Sequence, residues 1–155
     1  MTTYDTLRVV NPATGEPITT LPAASADDVA KAAERARQVF DAGVWSRLPV
    51  RERAAVLLRL AVLMERDAEI LARLDSEDAG KPITECRTGD VPGAIESIRW
   101  FAEAADKVFG RIAPSGPHGL GLMSREPVGV VAAILPWNYP LAMTCLLYTS
   151  DAADE

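Results

Sequence analysis

Residues 128–140 read VGVVAAILPWNYP, a short and nearly continuous apolar run that ends in two aromatics and an amide bracketed by prolines. A run of this kind, rich in β-branched residues, is typical of a strand buried on both faces of a parallel sheet. Open α/β folds bind their ligands at the carboxyl edge of such a sheet. Pro136 and Pro140 limit the backbone freedom of the turn and so hold the amide of Asn138 in place. A fixed amide N–H suits a developing oxyanion, and one such donor is worth about 10²–10³ in rate. On spacing alone, a packed aromatic turn whose Asn satisfies neighbouring backbone fits equally well.

Upstream of this run the chain is mostly helical in pattern. LRVVNPATGEPITTLPAAS (residues 7–25) has β-prone runs on both sides of Asn-Pro and Thr-Gly, which predicts a β-hairpin. Ser25 reads as an N-cap with Asp28 completing a capping box. Val29, Ala32, Ala33, Ala36, Val39 and Phe40 then keep helical spacing until Gly43. Pro49 opens a second helix through RERAAVLLRLAVLMER. Its middle is apolar on nearly every side, so deep burial by the chain or by a partner subunit is expected. Asp67 is expected to cap AEILARLDSEDA, which Gly80 closes and Pro82 stops. A break is expected at Thr88-Gly89, after which Asp90 opens a helix with Val91, Ile95, Ile98, Phe101, Ala105, Val108 and Phe109 as its stripe. Residues 110–129, dense in glycine and proline, fit a loop and an exposed hairpin. Hairpin, helices, hairpin and buried strand form the opening of an α/β protein.

The 155 residues are enough for one domain with a real core. A hydrophobic share of 48% with 25% charged residues places the chain among globular rather than disordered proteins. The net charge of −6 and a pI near 4.9 argue against a nucleic-acid surface, which needs clustered Lys and Arg. MTTYDTLRVV has no basic start or apolar signal core, and no apolar run is long enough to cross a bilayer. Cys86 and Cys145 are read as free thiols in a reducing compartment, so the expected location is cytoplasmic, without membrane association.

Other candidate chemistry is weaker. Gly119-x-Gly121-x-x-Ser124 resembles a dinucleotide fingerprint but follows a loop and precedes no helix, so it reads as hairpin. His118 is the single histidine of the chain and makes neither a zinc site nor a triad. Cys86, beside Arg87, reads as a structural or surface thiol rather than a nucleophile. The carboxylates of LDSEDAGK (residues 74–81) suit helix capping and solvation better than a metal.

NPATGE, DAGKPITE, RWFAEAADKVFG and above all REPVGVVAAILPWNYPL occur in the order found in the NAD(P)-dependent aldehyde dehydrogenase superfamily, which residues 9–141 resemble. Among its members the segments from Asp90 to Gly110 and from Ser124 to Ile134 are most similar to γ-glutamyl-γ-aminobutyraldehyde and betaine-aldehyde-like enzymes. The resemblance implies the N-terminal portion of that α/β fold: a Rossmann-like nucleotide-binding domain with hairpin strands of an oligomerisation domain, incomplete here. It implies oxidation of an aldehyde to a carboxylic acid with NAD or NADP, NAD being favoured, in a homo-oligomer. By position, Asn138 would be the oxyanion-hole side chain. Ile134, Leu135, Pro136 and Trp137, with Asn138, would line the cofactor groove, and Tyr139 would face the aldehyde tunnel. The Val10 carbonyl and Asp90 match positions that hold a structural monovalent cation in some members.

In the family the catalytic cysteine and the general-base glutamate come much later than PWNYPL. Cys145, seven positions after Asn138, is too early to be that nucleophile, so residues 1–155 alone are expected to be inactive. An apolar strand left without neighbours is also expected to make them unstable. CLLYTSDAADE (145–155) does not look like family sequence and resembles the translation of a sequencing-library adapter. The expected division is therefore 1–144 as aldehyde dehydrogenase sequence and 145–155 as a non-native tail. The competing class is a non-catalytic helical interaction module that keeps this scaffold.

Overall fold

The structure, a computed structural model, describes residues 6–149. It opens with the expected hairpin, in which β1 (Thr6–Val10) pairs antiparallel with β2 (Pro17–Pro22). Asn11 builds the turn. Its side-chain oxygen accepts the N–H of Ala13 at 2.9 Å, and its backbone N–H donates to the Glu16 carbonyl at 2.8 Å. Gly15 completes the turn at φ 75°, a left-handed conformation that glycine adopts without a Cβ penalty.

α1 (Ala26–Ala42) starts with the full reciprocal capping box of Ser25 and Asp28, and Gly43 ends it in the left-handed region. Together these satisfy part of the orphan N–H and C=O groups at its two ends. α2 (Val50–Arg66) and α3 (Ala68–Ala79) follow. Asp67 stands at the expected boundary but caps nothing with its side chain, because both carboxylate oxygens bind the Arg66 guanidinium. α3 ends at Gly80, φ 70°, where an added Cβ would lie 2.5 Å from Pro12 Cγ in the hairpin turn. A Gly80→Ala variant therefore meets both backbone strain and a clash. It is expected to lose about 1–3 kcal/mol of stability, read as a lower urea midpoint.

The break expected at Thr88-Gly89 does not occur. α4 (Ile83–Glu85), a π-turn (Cys86–Asp90) and α5 (Val91–Ala104) run on as helical backbone. Pro92 gives the physical reason. It lacks an N–H and crowds the carbonyl four residues earlier, and the widened turn, with Val91 N–H reaching Cys86 O, relieves both. A 3₁₀ turn (Ala105–Lys107) then leads to the second hairpin, β3 (Arg111–Ala113) with β4 (Gly121–Met123). The Gly119–Ser124 stretch is thus hairpin, as read. His118 is exposed.

The core is helical. α5 contributes Val91, Ala94, Ile95 and Ile98, and these pack with Ala61 and Met64 of α2, Ala72 of α3, Cys86, and Cys145 of α6 (Pro140–Thr149). Of the two alternatives for α2, burial within the described residues does not occur: Val56, Leu58, Leu60 and Val62 are exposed. Residues 128–135 form no strand: none among the described residues hydrogen-bonds to them, and Ile134 is fully exposed, the outcome expected for this apolar run when it is left without neighbours. A strand needs neighbours on both edges to become a sheet interior, and the two hairpins do not supply them. Among the described residues, no helix is long and apolar enough to cross a membrane. The proposed tail is helical in α6 as far as Thr149; the remainder lies outside the described residues.

Candidate active-site turn

Residues Trp137–Tyr139 form a turn that feeds directly into α6. Pro140 takes the first helical position, where its fixed φ and missing N–H cost nothing. The Tyr139 carbonyl accepts the Met143 N–H at 3.0 Å, and the Thr144 hydroxyl donates to the Pro140 carbonyl at 2.7 Å. Asn138 is exposed, one residue before the cap, near the positive end of the α6 dipole. A negative charge developing beside its amide would be favoured by both. Trp137 is 81% exposed, and with Ile134 and Leu135 it makes one open apolar edge leading to the turn.

Beneath the turn lies a compact polar cluster. The Lys81 ammonium forms a close ion pair with Asp90, with side chains only 16% and 11% exposed. The same ammonium sits 3.8 Å from the centroid of the Tyr139 ring. The Lys81 carbonyl accepts the Ser76 hydroxyl at 2.6 Å. Asp75, 6% exposed, faces the backbone N–H of Leu141, which favours its charged form, while its Oδ2 is buried without a hydrogen-bond partner. That N–H is one of the orphan donors at the start of α6, so Asp75 lies against the start of the helix from another element.

Burial, then the charge of Asp90, pushes the Asp75 carboxyl above the usual carboxylate range, against the opposing pull of Lys81. Burial works against the Lys81 charge, but the hydrogen bond and charge of Asp90 outweigh it and raise its pKa. The Cys86 thiol is pushed up by burial first, then by the charges of Asp75 and Asp90. Potential ligand atoms of Asp75, Cys86 and Asp90 lie within 4.8 Å of one another. Lys81 already supplies the positive charge there, so the set suits an ammonium-centred network better than a metal ion.

The raised Asp75 value has a consequence for stability. Between the ordinary carboxylate range and the raised folded value, the native state binds more protons than the unfolded state, so stability falls as pH rises through that window. Asp75→Asn removes this titration. The variant is expected to flatten the fall in urea midpoint with pH that the native sequence shows there.

Both cysteines are poor nucleophiles. Cys86 is fully buried, Cys145 nearly so, and burial raises both thiols. Arg87 does not activate Cys86, because its guanidinium is committed to Glu69. Cys86 is thus the structural thiol of the two alternatives read from sequence, not the surface one. Of the two residues expected to hold a cation, Val10 ends β1 beside the register shift of the hairpin, and Asp90 is paired with Lys81.

Asp75 and Lys81 escaped the sequence reading, which assigned the carboxylates of LDSEDAGK to capping and solvation. The correction for Asp75 has a visible origin. Ala68, Leu71, Ala72 and Asp75 share one helix face, and the first three pack on the core. A carboxylate in an apolar stripe was the available signal.

Residues 1–149 match the aldehyde dehydrogenase family. The chain belongs to that family. It is 47% identical over 141 residues to the NADP/NAD-dependent aldehyde dehydrogenase PuuC of Escherichia coli K12, covering 91% of this chain and 28% of that protein. The crystal structure of γ-glutamyl-γ-aminobutyraldehyde dehydrogenase from Burkholderia cenocepacia J2315 superposes with a TM-score of 0.89 at 47% identity, over 94% of this chain and 29% of that one. The indole-3-acetaldehyde dehydrogenase AldA of P. syringae, solved with NAD+, gives 0.88 at 43% identity, over 94% of this chain and 29% of that one. The chain therefore spans less than a third of these relatives, and its fold is part of the N-terminal region of theirs.

Proposed function

We propose that this chain is the N-terminal part of an enzyme that oxidises an aldehyde to a carboxylic acid with NAD(P), NAD being favoured. The observation that carries the reading is the exposed Asn138 turn at the head of α6, reached by an open apolar edge. Asn138 donates its amide N–H to the aldehyde oxygen as a cysteine thiolate, supplied outside these residues, adds to the carbonyl carbon. Tyr139 borders the aldehyde. Ile134, Leu135, Pro136 and Trp137 line the dinucleotide groove together with Asn138; the exposed apolar side chains and unladdered backbone of this edge fit a nucleotide lying along it. The dinucleotide, when bound, accepts the hydride.

A carboxylate-activated water, its base also outside these residues, completes hydrolysis of the thioester. Buried, raised Cys86 and Cys145 support the further reading that residues 1–155 alone do not turn over. Exposed Ile112, Leu120 and Leu122 on the β3–β4 hairpin support pairing with a partner subunit in a cytoplasmic homo-oligomer. Val10 and Asp90 are assigned to a monovalent cation only by their place in the family pattern.

Two similar enzymes, the γ-glutamyl-γ-aminobutyraldehyde dehydrogenase and an aminoacetaldehyde dehydrogenase of Pseudomonas aeruginosa, are named for aldehydes carrying an amino or acylated amino group. The test is NADH formation by the full-length enzyme with γ-glutamyl-γ-aminobutyraldehyde, aminoacetaldehyde and a plain aliphatic aldehyde of equal length. The amino-substituted substrates are expected to give the higher kcat/KM. No NADH with any of them would refute the reading.

A further inference from the structure

We propose that Lys81, braced by Asp90, and Asp75 are positioning residues that hold the Asn138 turn in its productive orientation. The inference rests on the reading of Asn138 as an oxyanion donor. Asn138 is exposed, so its orientation must come from the residues beside it. The C-terminal side of the turn is held from below. Lys81 lies against the ring of Tyr139 at 3.8 Å, and Asp75 faces the Leu141 N–H.

The two grips come from one short segment, the end of α3 and the residue after Gly80. That segment is itself restrained. Asp90 holds the ammonium from the π-turn, and Ser76 donates to the Lys81 carbonyl. A cation over an aromatic face is a directional contact. A carboxylate at the first turn of α6 fixes the helix that follows the turn. Misplacing a catalytic donor by an ångström can cost on the order of 10²-fold in rate.

The test uses Lys81→Met and Lys81→Arg in the full-length enzyme, together with a second readout in the 155-residue chain. Lys81→Met is expected to lower kcat about tenfold or more while the KM for NAD stays within about twofold. Lys81→Arg is expected to recover most of that kcat, because a guanidinium can also pair with a carboxylate and stack on a ring. An unchanged kcat in Lys81→Met would overturn the inference, as would an equal loss in Lys81→Arg. For the second readout, Trp45→Phe and Trp100→Phe leave Trp137 as the one indole beside the turn. Lys81→Met should then shift Trp137 emission and acrylamide quenching, and Lys81→Arg should not. Emission and quenching indifferent to both substitutions would overturn the brace. A native enzyme that forms no NADH would remove the catalytic reading instead, leaving the Trp137 signal to decide the brace.

Discussion

Replacing Asn138 by alanine in the full-length enzyme is expected to lower kcat by about 10²–10³, with the KM for NAD nearly unchanged. The amide contributes only when charge develops on the aldehyde oxygen. Before thiolate attack that oxygen is neutral and gains little from the amide; after attack it carries the charge the donor faces. An interaction realised in the transition state alone affects kcat and kcat/KM equally. Asn138→Asp should be no better than alanine, since a carboxylate presents no N–H and repels the oxyanion. The check is steady-state kinetics with saturating NAD. A variant whose KM for NAD rises with kcat intact would place Asn138 in cofactor binding only.

The second large effect concerns the helical core. Ile98 is fully buried on α5, which packs against both α2 and α6. Ile98→Ala removes buried methylenes and leaves a cavity that neighbouring rigid helices cannot fully close. The expected loss is about 2–5 kcal/mol. A urea titration of the 155-residue chain measures it, with Val29→Ala as the control. Val29 is 61% exposed on α1, and truncating it should change stability by less than about 0.5 kcal/mol. Equal effects of the two substitutions would mean that the α2–α5–α6 packing does not hold the chain together.

Local signals were read correctly where a residue decides its own surroundings. Ser25 and Asp28 close a capping box within one turn, Asn11 shapes the first hairpin through its own side chain, and Gly43 and Gly80 stop helices by their conformation. Where the outcome depends on distant partners, the pattern alone does not decide it. Residues 128–135 carry strand chemistry but find no ladder among the described residues, and α2 carries core chemistry on faces that stay open. Thr88-Gly89 looked like a stop, yet the helix absorbed Pro92 with a π-turn two residues further back.

The site was half legible for the same reason. Asn138 stood out because prolines frame it in sequence. Asp75 and Lys81 reach Leu141 and Tyr139 across about sixty residues of chain, a proximity that only the packing of α6 on α5 creates.

On the proposed function, these residues carry the oxyanion donor and cofactor edge without a competent nucleophile. The most direct test is intact-mass spectrometry of the 155-residue chain incubated with NAD and an amino-substituted aldehyde, with NADH followed in parallel. The account predicts an unmodified mass and no NADH. An acyl adduct on Cys86 or Cys145, formed with a stoichiometric burst of NADH, would contradict it.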